Sequence, residues 1–171
     1  MTAHAKAYLY LHISVLIWGF TAILGKLISL SALPLVWWRV VLCVLALWWL
    51  VPQVQKRELS RARFLRLLGI GIIIGIHWLC FYGAIKLSNA SVAVASMATI
   101  TFFSALIEPI LLKRRFQWLE LILGLFVLPG MVLIAGNLDL NMKQGFAVGI
   151  AAAFLAAVFS SLNKLEVDRY P

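Results

Sequence analysis

Charge is scarce in this sequence: Asp, Glu, Lys and Arg make up 12% of its 171 residues, against about 25% in an ordinary soluble domain. Long polar stretches are missing too, so no separate catalytic domain fits between the apolar runs. Cysteine is down to two residues, Cys43 and Cys80. Each lies inside an apolar stretch, which excludes a disulfide framework and a cysteine metal site. No H-E-x-x-H, no G-x-S-x-G and no phosphate-cradling glycine loop occurs. The hydroxyls of Ser14, Thr21, Ser96 and Ser160 have no base beside them at helical spacing. No catalytic residue, no metal and no cofactor is therefore expected.

Hydrophobic residues fill the vacated space: 64% of the chain, with a mean hydropathy of +1.01. That surplus has no aqueous surface to cover it, and lipid is the solvent it fits. The net charge of +9 could suggest nucleic acid, but the basic residues sit in short clusters between apolar runs, a pattern of membrane topology. A spanning helix needs about 20 mostly apolar residues. Punctuation by charge, Gly and Pro gives six: Ala7–Ile28, Leu33–Val51, Phe64–Ile85, Ser91–Leu112, Trp118–Ala135 and Gln144–Asn163. The first run is too long for a signal peptide and lacks a small-residue cleavage pattern. The expected fold is an all-α polytopic helical bundle embedded in a lipid bilayer.

Orientation follows from the cationic loops, because Lys and Arg near span ends favour the cytoplasm. Lys56, Arg57, Arg61, Arg63 and Arg66 follow the second span, and Lys113, Arg114 and Arg115 follow the fourth. Alternation then places Lys6 and the C-terminal Lys164 and Arg169 on the same side, leaving Lys26, Arg39, Lys86 and Lys143 opposite. The expectation is a multi-pass inner-membrane protein with both ends in the cytoplasm. Trp37, Trp38, Trp48, Trp49 and Trp118 fall where interfacial anchors belong. Gly71 and Gly75, and Gly145 and Gly149 continued by Ala152, Ala156 and Ser160, are helix-packing candidates.

A weak internal echo links Leu24-Gly25-Lys26-Leu27 to Leu162-Asn163-Lys164-Leu165. Five helices, an odd number, separate the two spans, so equivalent helices would run in opposite directions, as in inverted-repeat transporters. Trp18-Gly19-Phe20, Lys26, Arg39 and the run Phe81-Tyr82-Gly83-Ala84-Ile85-Lys86-Leu87-Ser88-Asn89-Ala90-Ser91 together resemble an EamA domain, the five-helix unit of the drug/metabolite transporter superfamily. The resemblance implies a repeat over 7–137, a first helix of a second, inverted repeat over 144–171, and a carrier of amino acids or related metabolites, an exporter rather than an enzyme. Ten helices would complete such a carrier, so the chain reads as a fragment or, standing alone, as half of a homodimer. It departs from many members in having Thr99-Ile100-Thr101 in the fourth helix and Lys113-Arg114-Arg115 at its end. The rival expectation is a membrane scaffold or regulatory subunit, whose interior would be free of polar groups.

Polar groups inside the spans mark the candidate solute pathway. His77, midway along the third span, reads either as a proton switch or as a neutral ring bonded to a neighbouring helix. Tyr82 reads as a cavity group or an interfacial anchor. Thr101, Ser104 and Glu108 share one face of the fourth span, for lining a cavity or seating a helix, with Arg114 or Arg115 the expected partner of Glu108. Lys26 and Arg39 read as snorkelling cations or as attractors of an anionic solute, and Trp18 as an aromatic wall or a packing residue.

Overall fold

The computed structural model describes residues 3–50 and 60–169, all of its regular structure helical. Among the described residues there are eight helices: α1 (Ala3–Leu27), α2 (Ala32–Leu50), α3 (Arg61–Leu87), α4 (Ala90–Met97), α5 (Ile100–Leu111), α6 (Trp118–Leu125), α7 (Val127–Gly136) and α8 (Leu140–Arg169). They make six membrane spans, because α4 with α5 and α6 with α7 each form one interrupted span. Every boundary falls within a few residues of the hydropathy reading except at the last helix, which runs to Arg169. Val51, Lys56, Arg57 and Pro171 lie outside the described residues. Alternating spans place Arg66, Arg114 and Arg169 at one end of the bundle, here the basic end, and the turns after α1, α3 and α7 at the far end.

The turns are set by short polar side chains that satisfy the first free N–H groups of each helix. Ser60 Oγ accepts from the Arg63 amide before α3, and Asn89 Oδ1 from the Val92 amide before α4. Asp139 Oδ1 does the same for Met142 at the start of α8. The fourth span ends on Lys113, whose φ of 51° turns the chain back toward α6. The break between α6 and α7 has a cause in Pro129, which has no N–H to offer the Leu125 carbonyl four residues earlier. The break at Ala98–Thr99 coincides with hydroxyls turned back on the helix: Ser96 Oγ donates to the Ala93 carbonyl and Thr99 Oγ1 to that of Ser96.

Lipid tails are as apolar as leucine, so helices associate through close packing and hydrogen bonds rather than through hydrophobic driving force. α8 uses both. It crosses the bundle antiparallel to α3 and also lies against α4 and α5. Its buried stripe runs through Gly145, Gly149, Ala152, Ala156 and Ala157 to Ser161. A Cβ on Gly145 would stand 2.7 Å from Ser88 Cβ, and one on Gly149 2.8 Å from Ser96 Cβ, so only glycine permits this approach. Ser161, not Ser160, completes the stripe, because 3.6 residues per turn carry a strict four-residue step off the contact line. A Cβ added to Gly71 or Gly75 would meet nothing within 4 Å, so no close helix approach requires glycine at either position. α1 and α2 lie at the periphery with Trp18, Trp37, Trp48 and Trp49 exposed, an arrangement stable only in lipid.

Candidate functional site

α1 and α2 converge at the far end around a cavity of about 510 Å³, walled by apolar side chains of both helices. That volume lies within the range of small-molecule sites. Arg39 of α2 and Tyr82 of α3 line it, with Thr21 and Cys43 as the other polar side chains. Gly25 lets α1 lie against the Tyr82 ring, whose Cε1 would be 2.6 Å from a Cβ there. Arg39 is seven residues into α2, about 10 Å along the axis at 1.5 Å per residue. A charge near a span centre costs about 2.5–3.5 kcal/mol on insertion scales, so its surroundings matter.

Two aromatic side chains one helical turn apart on α3 hold the guanidinium. It stacks 4.5 Å over the Trp78 ring, a favourable cation–π distance, and Nη1 donates to the Tyr82 hydroxyl. Nε is buried without an acceptor. No carboxylate among the described residues pairs with Arg39. The described residues therefore orient this cation and supply no counter-ion to it.

The other candidates are distributed differently. Lys26 donates to the Ser88 carbonyl at 3.5 Å, outside the cavity lining, and Lys86 reaches the Ile28 carbonyl. These two lysines tie the turn after α1 to the turn after α3. Trp18 is 69% exposed and absent from the lining. His77 faces the opposite side of α3, where Nδ1 stands 2.8 Å from the Ala152 carbonyl of α8 and the ring meets Phe159. A carbonyl only accepts, so Nδ1 carries the proton in this contact. Thr101 is exposed and donates to the Ala98 carbonyl, Ser104 is half-buried, and Ala105 beside it is buried. The structure thus brings Arg39 and Tyr82 together in the cavity lining, which includes neither His77 nor the α5 stripe.

At the basic end, ion pairs close the bundle. Glu108 of α5 meets Arg114 at 3.1 Å and Lys164 of α8 at 3.9 Å, and Arg114 also binds Glu120 of α6 at 2.6 Å. The bond to Glu120 pushes the Arg114 guanidinium further above its ordinary value, so it stays charged. Arg66 of α3 pairs with Glu166 of α8 at 2.7 Å, and Arg169 adds a 3.0 Å contact. Sequence reading singled out Glu108 and its Arg114 partner but missed Glu120, Glu166 and Trp78. Acidic residues in so apolar a chain were the available signal for the first two, and Trp78, four residues before Tyr82 on one face, for the third.

Searches of curated proteins and of solved structures each return no match for this chain. A family profile does match, over residues 5–136, and its description is the EamA-like transporter family. That span takes in α1 to α7, including Arg39, Trp78 and Tyr82 of the cavity. Six spans among the described residues, a cavity lined by a cation that aromatic side chains hold, and a profile match across most of the chain lead to one conclusion: this chain belongs to the EamA-like transporter family.

Proposed function

We propose that the chain is part of a secondary transporter that exports small organic metabolites, amino acids among them, by alternating access between inverted repeats. Residues 7–137 form one repeat in this reading, and 144–171 supply the first helix of the next. The basic end faces the cytoplasm, because cationic loops are retained there, and the far end faces outward across the inner membrane. The single observation that carries the reading is the position of the cavity. It lies between α1, α2 and α3 in the half of the bundle toward the far end, while ion pairs join α8 to α3 and α5 at the basic end. A carrier needs such asymmetry: one side accessible, the other closed, with a rocking motion to exchange them.

Solute flux in proteoliposomes holding the full chain, run with and without a pH gradient, tests the carrier. Saturable export of an organic metabolite is the expected result, and no flux of any amino acid, organic acid or amine would count decisively against it. Reporter fusions test the orientation, with Arg115 expected in the cytoplasm and Asn137 outside.

A further inference from the structure

We infer that the Arg39 cavity is a recognition site for a small organic anion, a carboxylate on an apolar body, and that Trp78 and Tyr82 act as positioning residues for the guanidinium. This rests on the carrier reading for its physiological meaning, but the binding site is argued from geometry alone. Three observations converge. Arg39 lies inside a span with no carboxylate beside it among the described residues. Nη1 is committed to the Tyr82 hydroxyl and one face of the guanidinium to the Trp78 ring, which leaves Nη2 for a ligand oxygen and fixes its direction. The rest of the lining carries no charge and is mostly apolar, Ile17, Phe20, Leu24 and Leu42 among it, with Thr21 and Cys43 as neutral exceptions, and it fits a hydrocarbon body rather than a second charge.

The chemistry follows from desolvation. A guanidinium in a low-dielectric wall repels cations, gives a neutral solute one ordinary hydrogen bond, and gives an oxoanion a charge-assisted one about twice as strong. Stacking against Trp78 keeps the side chain from extending toward the headgroups, which is how an arginine near a span end usually escapes hydrocarbon. The site is therefore built to hold its charge in place until an anion arrives. A carboxylate could be presented by a free solute, and the same donors would take a lipid phosphate, so the test must separate the two.

The full chain in phosphatidylcholine nanodiscs would be titrated with phenylacetate, phenethyl alcohol and phenethylamine, three probes of similar size and different charge. Phenylacetate is expected to bind most tightly and phenethylamine not at all. Arg39→Gln should weaken phenylacetate by about ten- to a hundredfold, the worth of a hydrogen bond to a charged group. Arg39→Lys should retain a preference for the anion at reduced affinity, and Tyr82→Phe, which keeps the ring and removes the hydroxyl, should weaken phenylacetate while leaving the alcohol unchanged. Variants are compared only where elution and helix content match the parent, and Tyr82→Phe decides the matter if Arg39→Gln does not fold. Equal affinity for the three probes, or an anion preference that survives Arg39→Gln, overturns the site. So does an anionic lipid that co-purifies with the parent, is lost in Arg39→Gln and is not displaced by phenylacetate. Arg39-dependent binding without flux would retire the carrier and leave the site standing, whereas parental flux through Arg39→Gln with no anion preference would retire the site and leave the carrier.

Discussion

Arg66 and Glu166, 100 positions apart in the chain, meet through Nε and Oε1 at 2.7 Å where α3 and α8 leave the bundle. Glu166 is the more enclosed partner, with a side chain 8% exposed against 37% for Arg66. Removing Arg66 leaves a covered carboxylate with Arg169 as its remaining ion-pair partner among the described residues, while removing Glu166 leaves a longer, more exposed side chain whose head is already near the headgroup level. Arg66→Ala is accordingly expected to lower the unfolding midpoint in detergent by several degrees, and Glu166→Ala by less. The exchange Arg66→Glu with Glu166→Arg should recover much of the loss. Scanning fluorimetry of the four proteins checks this, and equal loss in both single variants would contradict the asymmetry.

Gly149 gives a second prediction, because an added Cβ there overlaps Ser96 on both Oγ and Cβ. Gly149→Ala should destabilise the protein by about 1–3 kcal/mol, the usual result of overpacking a filled interface. Gly71→Ala meets nothing within 4 Å and should be neutral or stabilising by up to about 1 kcal/mol, since alanine is the better helix former. Thermal denaturation in one detergent compares the two.

His77 is expected to behave as a packing group. Its ring is buried against Phe159 and its proton is directed at the Ala152 carbonyl. His77→Gln can still donate to that carbonyl and should leave flux and its pH profile unchanged. His77→Leu should cost about 0.6–2 kcal/mol, the measured worth of hydrogen bonds between spanning helices. A pH optimum that shifts in His77→Gln would restore the proton-switch reading.

Cys43 lines the cavity while Cys80 does not, so one thiol reports on the site. In a Cys80→Ala background, a small impermeant thiol reagent added from the far end should modify Cys43. Phenylacetate should slow the reaction, and Arg39→Gln should abolish that protection. Mass spectrometry of the intact protein gives the extent of modification, and labelling from the basic end alone would reverse the orientation.

The six spans were legible because burial of apolar length in a bilayer is written one residue at a time, and hydropathy recovers it. The Gly145 and Gly149 face was legible for a related reason: from Gly145 to Leu162 α8 carries no charged or amide side chain, so its small residues alone mark a contact. Gly71 and Gly75 carry the same spacing yet leave room for a Cβ, since a motif does not say which way a helix is rotated. The same ignorance of rotation hid Trp78 beneath Arg39 and left open whether Tyr82 and His77, five residues apart, share a neighbourhood; Tyr82 lines the cavity and His77 meets α8. Pairings across helices, such as Arg66 with Glu166, depend on which spans become adjacent, and nothing local encodes that. The interruption at Phe126 was within reach through Pro129. The one at Ala98–Thr99 was not, because serine and threonine hydroxyls break a helix only where tertiary packing lets them.

The unequal attachment of the helices has a mechanical consequence. α8 knits α3, α4 and α5 into a stiff block, whereas α1 and α2 rest on it mainly along α3 and α4, near the cavity mouth. Segments with so little buried contact sample open forms at small free-energy cost. The pair should therefore exchange its amide hydrogens for deuterium well before the block does, swinging like a shutter on a fixed frame, and a solute would enter beside Arg39 while the packing of α8 on α3, α4 and α5 stays in place.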